Sequence, residues 1–340
     1  MLRLSNYWYI ACPSGELKQK PRRFEVEGET LVLFRNSKGE PHALVDRCAH
    51  RGMALSEGRV VGDSVECPYH GWCFSGKGRL EKLPALCEGE KLPQTKTMRS
   101  FPVAEQDDHV WVWIGSEAPD RPPFRFPHAA DPEWDTFFMH TRFEAPVEAC
   151  LENFLDVPHT IFVHPGLFRS GELNPTQVRV HRTGDSVSAE FLNEAPLTGI
   201  GPRLLFPKGT RVRHIDRFIL PSITRVDYEF GPEHGFIITS QCTQRSEHVV
   251  DVTTAITWRL PRPASLAGPL LRPFLRWYCQ RVIQQDVDVL AVIGKQIERF
   301  GTSHMHTEAD LLGRHIERMR RRAIEGATTP EKVEELTLRI

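Results

Sequence analysis

Hydrophobic and polar residues in the first third of the chain follow patterns that predict short β-strands joined by turns. Residues 27–35 end in an apolar, partly β-branched run, and a turn signal at 36–39 separates them from the apolar segment 42–46. A second turn signal follows at 75–78, and the aromatic and β-branched segment 109–115 is typical of a closing strand. This part of the chain is therefore predicted to be a small all-β domain.

The pattern changes after residue 117, so we predict domain limits of 1–117 and 134–340 with a proline-rich crossover at 118–133. Strands are predicted at 177–181, 186–193, 214–220, 224–230, 235–241 and 249–260. Helices are predicted at 145–164, 271–300 and 309–327, and residues 318–322 with 331–336 are interpreted as a solvated helix face. This order predicts an α+β domain with an antiparallel sheet flanked by helices, of helix-grip type.

Length and charge limit the function classes. The 340 residues suffice for two ordinary domains, and 43 basic against 44 acidic side chains give no global field that favours nucleic acid or an anionic membrane. The N-terminus has no basic start followed by an apolar run, and prolines and arginines interrupt the apolar segment 266–289. We therefore expect a cytoplasmic protein that binds neither nucleic acid nor membrane, whose eight cysteines serve metal binding or packing rather than disulfides.

Two short segments each hold one thiol and one imidazole. Cys48 and His50 form the first pair, and Cys67 and His70 form the second, in a C-x-H…C-x2-H spacing. Four such residues suit either a tetrahedral zinc ion or a two-iron, two-sulfide cluster with both cysteines on one iron and both histidines on the other. A lone buried cysteine or histidine is more often simple packing, but the joint spacing favours a metal site.

The flanking residues favour the iron–sulfur interpretation. A glycine follows closely after each histidine, as a tight loop over a compact cluster requires, and Pro68, Tyr69 and Trp72 can stiffen and shield the second loop. The segment resembles the N-terminal domain of the Rieske non-haem iron oxygenases. The resemblance implies a Rieske [2Fe-2S] cofactor held by the two Cys–His pairs.

A second pair of histidines lies downstream. His159 and His164 are five residues apart, a spacing that turns the second side chain well away from the first on a regular helix. They can face one metal only if the helix is distorted or ends between them, and Pro158 favours such a break. After a Rieske motif, the N-x-x-D-x-x-H-x4-H pattern that starts at Asn153 and includes Asp156 resembles the mononuclear iron motif of the family.

This resemblance assigns a role to each residue of the motif. It implies that His159 and His164 bind a mononuclear non-haem Fe(II), and that Asn153 lies near the iron without a full coordinate bond. It also implies that Asp156 hydrogen-bonds both His159 and a Rieske histidine, His70, of a neighbouring subunit. Asp156 and Asn153 are accordingly the candidate catalytic residues.

The third iron ligand is expected to be a carboxylate on a late helix. In the family, this acid is commonly followed by an apolar pair three and four residues on, and Asp286 with Val289 and Leu290 fits that register. Asp288 lies about 200° away around a helix, so the two acids cannot face one iron. We predict Asp286 as the ligand, and Asp288 is the alternative.

The resemblance covers nearly the whole chain and implies the terminal oxygenase alpha subunit of a single-subunit-type monooxygenase or demethylase. Such an oxidoreductase uses O2 and two electrons to hydroxylate, or to O- or N-demethylate, a small aromatic or cyclic substrate. Since the sequence has no flavin- or NAD-type glycine motif, electrons are expected from an NAD(P)H-dependent reductase, directly or through a ferredoxin. The resemblance further implies a homotrimer in which each Rieske domain lies beside the next subunit's iron.

Three alternatives stay open at this point. The chain could be a Rieske electron carrier without oxygen chemistry, a zinc-stabilised binding protein, or, among oxygenases, a dioxygenase, desaturase or oxidative cyclase. Candidates for lining a substrate pocket are Phe162, Leu204, Phe206, Phe218 and Ile238, and candidates for meeting a substrate carboxylate are Arg203, Arg211 and Arg213, although packing and solvent exposure are the more usual roles of such residues.

Overall fold

The computed structural model describes residues 3–87, 89–93, 97–167, 173–194, 212–231, 234–260, 268–302 and 305–340. The chain forms two compact units. The first consists of Ser5–Arg125 with Thr243–Ser246, and the second of Phe126–Cys242 and Glu247–Ile340 with the first four residues. The domain limits given by the sequence pattern stay a prediction.

The first unit consists of small antiparallel sheets. Its strands are β1 (Tyr7–Pro13), β2 (Arg22–Val26), β3 (Glu29–Arg35), β4 (Pro41–Val45), β5 (Arg59–Val61), β6 (Ser64–Glu66), β7 (Cys73–Ser75), β8 (Leu80–Lys82), β9 (Ser100–Phe101), β10 (Val103–Gln106) and β11 (His109–Ile114). Over the described residues they pair in the orders β1-β11-β10, β2-β3-β4-β9 and β5-β6-β7-β8. Two short 3-10 turns, Ser14–Glu16 and Leu55–Glu57, connect strands.

One apolar cluster of this unit packs directly beneath the two Cys–His segments. Strand residues Val32, Leu44 and Phe74 are fully buried in it, and Cys48 and Cys67 belong to the same cluster. The first Cys–His segment follows β4, and the second lies between β6 and β7. Packing of the strands therefore sets the positions from which both loops emerge.

The second unit is organised around one antiparallel sheet of eight strands. Its strands are β12 (Asp135–Phe143), β13 (Pro175–Arg182), β14 (Ser186–Leu192), β15 (Arg213–Ile219), β16 (Ile223–Glu229), β17 (Gly235–Ser246), β18 (Val249–Arg259) and β19 (Lys332–Arg339). The order across the sheet is β12-β18-β17-β16-β15-β14-β13-β19. Alternate residues of β13 and β14 are buried, as expected for strands with one face towards a core.

Four helices accompany this sheet in the described chain. They are α1 (Val147–Asn153), α2 (His159–Val163), α3 (Gly268–Phe300) and α4 (Gly313–Ile324). The first half of α3 packs on the sheet through Leu275 and Tyr278, which meet Phe137 of β12 and Trp258 of β18 in one buried cluster. The second half contacts α1, and Gly294 there allows close approach to the segment before α1, because a Cβ at that position would lie 2.2 Å from the backbone oxygen of Glu144.

The predicted fold class is confirmed: an all-β N-terminal unit is followed by a large antiparallel sheet with helices. The interpretation of residues 331–336 as a helix face is wrong, because residues 332–336 lie in β19, where Glu334, Leu336 and Leu338 are less exposed than the residues between them. The arginines of α4 are not uniformly solvated either. Arg320 is buried and donates to the backbone oxygen of Pro221 and to Glu148. No helix in the described ranges is long and apolar enough to cross a bilayer.

Candidate metal centres

The first Cys–His segment is a tight loop closed by two backbone hydrogen bonds. The amide of Cys48 donates to the oxygen of Met53 at 2.8 Å, and the amide of Gly52 donates back to the oxygen of Cys48 at 2.9 Å. Gly52 has a φ of 76°, a left-handed conformation that costs glycine little. This closure holds the backbone on both sides of His50.

The second segment repeats the same closure. The amide of Cys67 donates to the oxygen of Trp72 at 2.8 Å, and the amide of Gly71, with a φ of 69°, donates to the oxygen of Cys67 at 3.0 Å. A Cβ on Gly71 would lie 3.0 Å from Pro84 Cγ, so the position is both conformationally and sterically restricted. The matching loops each present one thiol and one imidazole.

The four side chains of the loops form two contrasting pairs. Cys48 and Cys67 are buried, and burial, followed by the Cys67 side chain, raises the pKa of the Cys48 thiol to about 11. The rings of His50 and His70 lie with centroids 4.5 Å apart, and His50 stacks on Trp72. His50 Nδ1 is buried without a hydrogen-bond partner among the described residues, which is costly for a polar atom unless it binds a metal or water. The four donors therefore fit a cluster with thiolates on one iron and imidazoles on the other.

The predicted helix at 145–164 consists of two short helices. α1 ends at Asn153, and α2 begins at His159 directly after Pro158, which has a helical φ of −56°. Proline is well suited to this position, because it lacks an amide hydrogen that the first turn would leave unsatisfied. α2 ends at Val163, and His164 leaves the helix with a φ of −117° and a ψ of 52°. The expected helix end between the two histidines is thus what allows both rings to face one point.

Three donor atoms converge beside these helices. Nε2 of His164 lies 3.1 Å from Oδ1 of Asp286, and Nε2 of His159 lies 3.5 Å from the same oxygen. Their ligand atoms all lie within 4.8 Å of one another, and His164 and Asp286 are buried. Oδ1 of Asp286 accepts no well-aligned hydrogen bond from the described residues although it is buried. A buried carboxylate facing two imidazole nitrogens without hydrogen-bond geometry fits a cation site.

The outer nitrogens of both rings have partners. Nδ1 of His159 contacts the backbone oxygen of Asp156 and lies 3.6 Å from the carboxylate of the same residue. Nδ1 of His164 lies 2.9 Å from Oε1 of Gln285. When Nδ1 carries the proton and donates outward, Nε2 keeps a lone pair that points towards Asp286.

The charges around His159, His164 and Asp286 favour a bound cation. Burial lowers the pKa of His159, but the carboxylates of Asp156 and Asp286 outweigh it and raise the pKa to about 9. Burial raises the pKa of Asp286, yet the two facing imidazoles bring it below its ordinary value. The pocket thus carries a negative field that either a proton or a divalent metal ion can neutralise.

Asp288, Asn153 and Asp156 differ in exposure and in their hydrogen-bond partners. Asp288 is exposed on the other side of α3 and accepts a hydrogen bond from Gln284 at 2.9 Å, so it does not face the two histidines. Asn153 has a buried Oδ1 without a hydrogen-bond partner in the part of the chain that the structure describes. The carboxylate of Asp156 is 36% exposed, so one side of it is open to a further partner.

The residues predicted to line a substrate pocket or to meet a substrate carboxylate lie in different environments. Phe162 is largely exposed, Phe218 belongs to the buried core, and Ile238 packs against the cluster around Trp258. Arg213 forms ion pairs with Glu190 and Glu229 on neighbouring strands. Leu204, Phe206, Arg203 and Arg211 lie outside the described residues.

Sequence patterns did not single out Gln285. Its side chain matters only because α3 brings it against His164, a residue distant along the chain. A glutamine next to an aspartate on a helix has no motif of its own, so the sole available signal was its adjacency to the candidate ligand.

Comparison with known families assigns both halves of the chain. A family model described as Rieske [2Fe-2S] domain matches residues 7–102. A second, described as Vanillate O-demethylase oxygenase C-terminal domain, matches residues 143–326, which is more than half of the chain.

Curated relatives match over part of their length. Chlorophyllide a oxygenase, chloroplastic, of Chlamydomonas reinhardtii is 38% identical over 183 residues, which cover 52% of this chain and 27% of that protein. The oxygenase component of dicamba O-demethylase from Stenotrophomonas maltophilia is 34% identical over 167 residues, or 48% of each chain. The chain therefore matches about half or less of the length of these relatives.

Among solved structures, dicamba monooxygenase bound to dicamba superposes with a TM-score of 0.79 at 23% identity, covering 96% of this chain and 98% of the other. This likeness confirms the fold across nearly the whole chain. Together with the two family models, it means that the chain belongs to the Rieske non-haem iron oxygenases, whose cofactors are the Rieske [2Fe-2S] cluster and a mononuclear non-haem iron.

Proposed function

We propose that the protein is the terminal oxygenase component of a monooxygenase system, an oxidoreductase that uses O2 and two electrons. The observation that carries this proposal is the convergence of His159, His164 and Asp286 in a chain that also holds the Rieske loops. Two imidazoles and one carboxylate are the donor set of non-haem iron oxygenases and leave coordination positions open for O2. We assign iron binding to these three residues, and cluster binding to Cys48, His50, Cys67 and His70.

When bound, the cluster supplies electrons one at a time and the mononuclear iron supplies O2 activation. The protein's own contribution is to hold the donors in place. Asp286 presents a buried carboxylate oxygen between the two Nε2 atoms, and the outer hydrogen bonds of both rings direct their lone pairs inward. Burial of His164 and Asp286 excludes water from that side of the site.

For Asp156 we propose a role in coupling the two metal centres of neighbouring subunits. Its carboxylate lies 3.6 Å from Nδ1 of His159 and keeps an open side, and His70 is exposed at the tip of its loop. In a homotrimer, His70 of the partner subunit would meet this open side, and the carboxylate would hold both imidazoles in one tautomer. Asn153, with its unpartnered buried oxygen, is proposed to lie beside the iron without a full coordinate bond.

The proposed reaction is hydroxylation, or O- or N-demethylation, of a small aromatic or cyclic molecule. The relatives of the chain support this class, since they include dicamba O-demethylase and aminopyrrolnitrin oxygenase. The electron donor is proposed to be an NAD(P)H-dependent reductase, directly or through a ferredoxin. Dioxygenation and desaturation are the other outcomes that the same donor set allows.

Iron counting tests the assignment and separates it from a simple electron carrier. Holoprotein with both centres is expected to hold three irons per chain, whereas a carrier would hold two. His159→Ala and His164→Ala should each lose the third iron and substrate oxidation while the visible spectrum of the cluster persists. As a matched control, His181→Ala removes an exposed strand histidine and should retain both.

Turnover then tests the substrate class. Reconstitution with a generic reductase and a panel of methoxy-aromatic, amine and polycyclic compounds should give oxygenated or demethylated products in step with O2 consumption. Variants at His159 and His164 that kept both metal content and turnover would contradict the proposal.

A further inference from the structure

Two successive residues of α3 contact opposite nitrogens of one imidazole ring. Oε1 of Gln285 lies 2.9 Å from Nδ1 of His164, and Oδ1 of Asp286 lies 3.1 Å from Nε2 of the same ring. His164 is 2% exposed, so its ring nitrogens have little access to water that could replace either contact. The helix therefore places one side-chain oxygen against each nitrogen of this ring.

The chemistry of the pair favours one tautomer. A neutral imidazole carries a single N–H, and a carboxamide oxygen can only accept a hydrogen bond. Acceptance by Oε1 requires the proton on Nδ1, which leaves the lone pair of Nε2 directed towards Asp286. If Nδ1 lost this acceptor, the proton could move to Nε2 and block the nitrogen that the metal needs.

The other histidine of the site is held differently. Nδ1 of His159 contacts the backbone oxygen of Asp156, which every side-chain substitution at Asp156 would leave in the chain. The outer partner of His164 is a side chain and can be removed by mutation. This asymmetry makes the outer contact of His164 separately testable.

We propose that Gln285 is a positioning residue for the mononuclear metal site, acting through Nδ1 of His164. The inference rests on the metal-binding role proposed above for His159, His164 and Asp286. Gln285 does not bind the metal. It keeps one ligand in the tautomer and orientation that binding requires, as outer hydrogen-bond partners of metal-bound imidazoles generally do.

The chain supplies a matched control beside the test position. Gln284 is the preceding residue of α3, is exposed and donates to Asp288. Gln284→Leu and Gln285→Leu therefore make the same chemical change one residue apart. Gln285→Glu keeps an acceptor oxygen for Nδ1 and provides the rescue variant.

The experiment measures binding of Co²⁺ alone to full-length protein that retains its Rieske cluster and has been depleted of mononuclear metal. Equilibrium dialysis gives the affinity, and the EPR spectrum of bound Co²⁺, recorded with the cluster oxidised, reports the geometry of the site. Gln285→Leu is expected to weaken Co²⁺ binding about 10–100-fold and to change the spectrum. Gln284→Leu should match the unsubstituted protein, and Gln285→Glu should stay within about threefold of it.

Three results would overturn the inference: equal Co²⁺ affinity in Gln285→Leu and the unsubstituted protein, an equal loss in Gln284→Leu, or a loss in Gln285→Glu as large as that in Gln285→Leu. Co²⁺ binding to the unsubstituted protein that is indifferent to His164→Ala would instead overturn the proposed metal site, and this inference with it. Thermal unfolding of the two leucine variants, expected to coincide, separates loss of positioning from loss of folding.

Discussion

Oδ1 of Asp286 lies 3.1 Å from Nε2 of His164, and that oxygen is buried without a well-aligned hydrogen bond. The two residues belong to segments that are distant in sequence, α3 and the residue just after α2. An ordinary hydrogen bond would be expected to align donor and acceptor. A close approach without that alignment instead fits two donors that share one cation beside them.

Asp286 and Asp288 of α3 are expected to differ sharply in their importance for mononuclear metal binding. Asp286→Asn should remove the carboxylate that faces both imidazoles and weaken mononuclear metal binding by more than about tenfold, with loss of turnover. Asp288→Asn changes an exposed residue on the other side of the helix and should leave both unchanged. Metal analysis after dialysis and O2 consumption check the pair. Equal effects of the two substitutions would contradict the choice of Asp286.

Two neighbouring cysteines offer a similar test of the proposed iron–sulfur site. Cys67→Ala should abolish the red-brown colour and remove two irons per chain, because the thiolate is a proposed cluster ligand. Cys73→Ala alters another buried thiol, whose sulfur lies 3.4 Å from the backbone oxygen of Gly71, and should keep the cluster. Visible absorption and iron content are the measurements. A colourless unsubstituted protein that contained zinc would exclude the Rieske assignment of these residues.

Close packing of α3 near α1 is expected to depend on Gly294. A Cβ there would lie 2.2 Å from the oxygen of Glu144, so Gly294→Ala must displace backbone and should reduce the free energy of unfolding by about 1–3 kcal/mol. In Gly184→Ala, no atom lies within 4 Å of the added carbon. This substitution should change the free energy of unfolding by less than about 0.5 kcal/mol. Urea unfolding monitored by circular dichroism compares them. Equal stability of Gly294→Ala and Gly184→Ala would show that the close approach at Gly294 does not restrict the helix.

The stability of the second unit is expected to fall as the pH rises above neutrality, because of a buried charged histidine. The ring of His214 stacks between Phe191 and Tyr228, with Nδ1 2.8 Å from Glu194 and Nε2 2.9 Å from Asp216. Burial lowers the pKa of His214, but the two carboxylates outweigh it and raise the pKa to about 9.

The folded and unfolded states differ in the pKa of His214, and this difference decides how stability changes with pH. The folded pKa of His214, about 9, exceeds the ordinary value of 6.5, so its stabilisation is complete below pH 6.5 and is lost as the pH rises towards 9. The loss amounts to about 3 kcal/mol at most. Urea unfolding at several pH values should show this fall of the free energy of unfolding with pH. A variant that combines His214→Gln, Glu194→Gln and Asp216→Asn should lack this pH dependence. A slope unchanged in that variant would exclude His214 as its source.

The Rieske loops illustrate what could be predicted from sequence. Each loop is closed by hydrogen bonds within six residues, between Cys48 and Met53 and between Cys67 and Trp72, and each needs a glycine for a left-handed turn. Because these determinants are local, their spacing is visible in the chain itself. The strand pattern was similarly visible over most of the large sheet, where one face is buried and the other is exposed.

Other elements depended on distant partners. The segment of β19 contains closely spaced charged residues, a pattern typical of a solvated helix face, whereas its pairing with β13 determines its conformation. The break between α1 and α2 was expected from Pro158, but the sequence could not establish that the rings of His159 and His164 would converge on one oxygen.

By itself, then, the sequence determined the donor types, their local spacing and the family to which they belong, because loop closure and burial periodicity act over a few residues. Only the tertiary structure brought Asp286 rather than Asp288 to the two histidines and set Gln285 against His164. The reason is physical: the direction of a side chain on a long helix depends on how that helix rotates against its neighbours. That rotation is decided by packing contacts, such as the close approach at Gly294, that are spread over the whole unit.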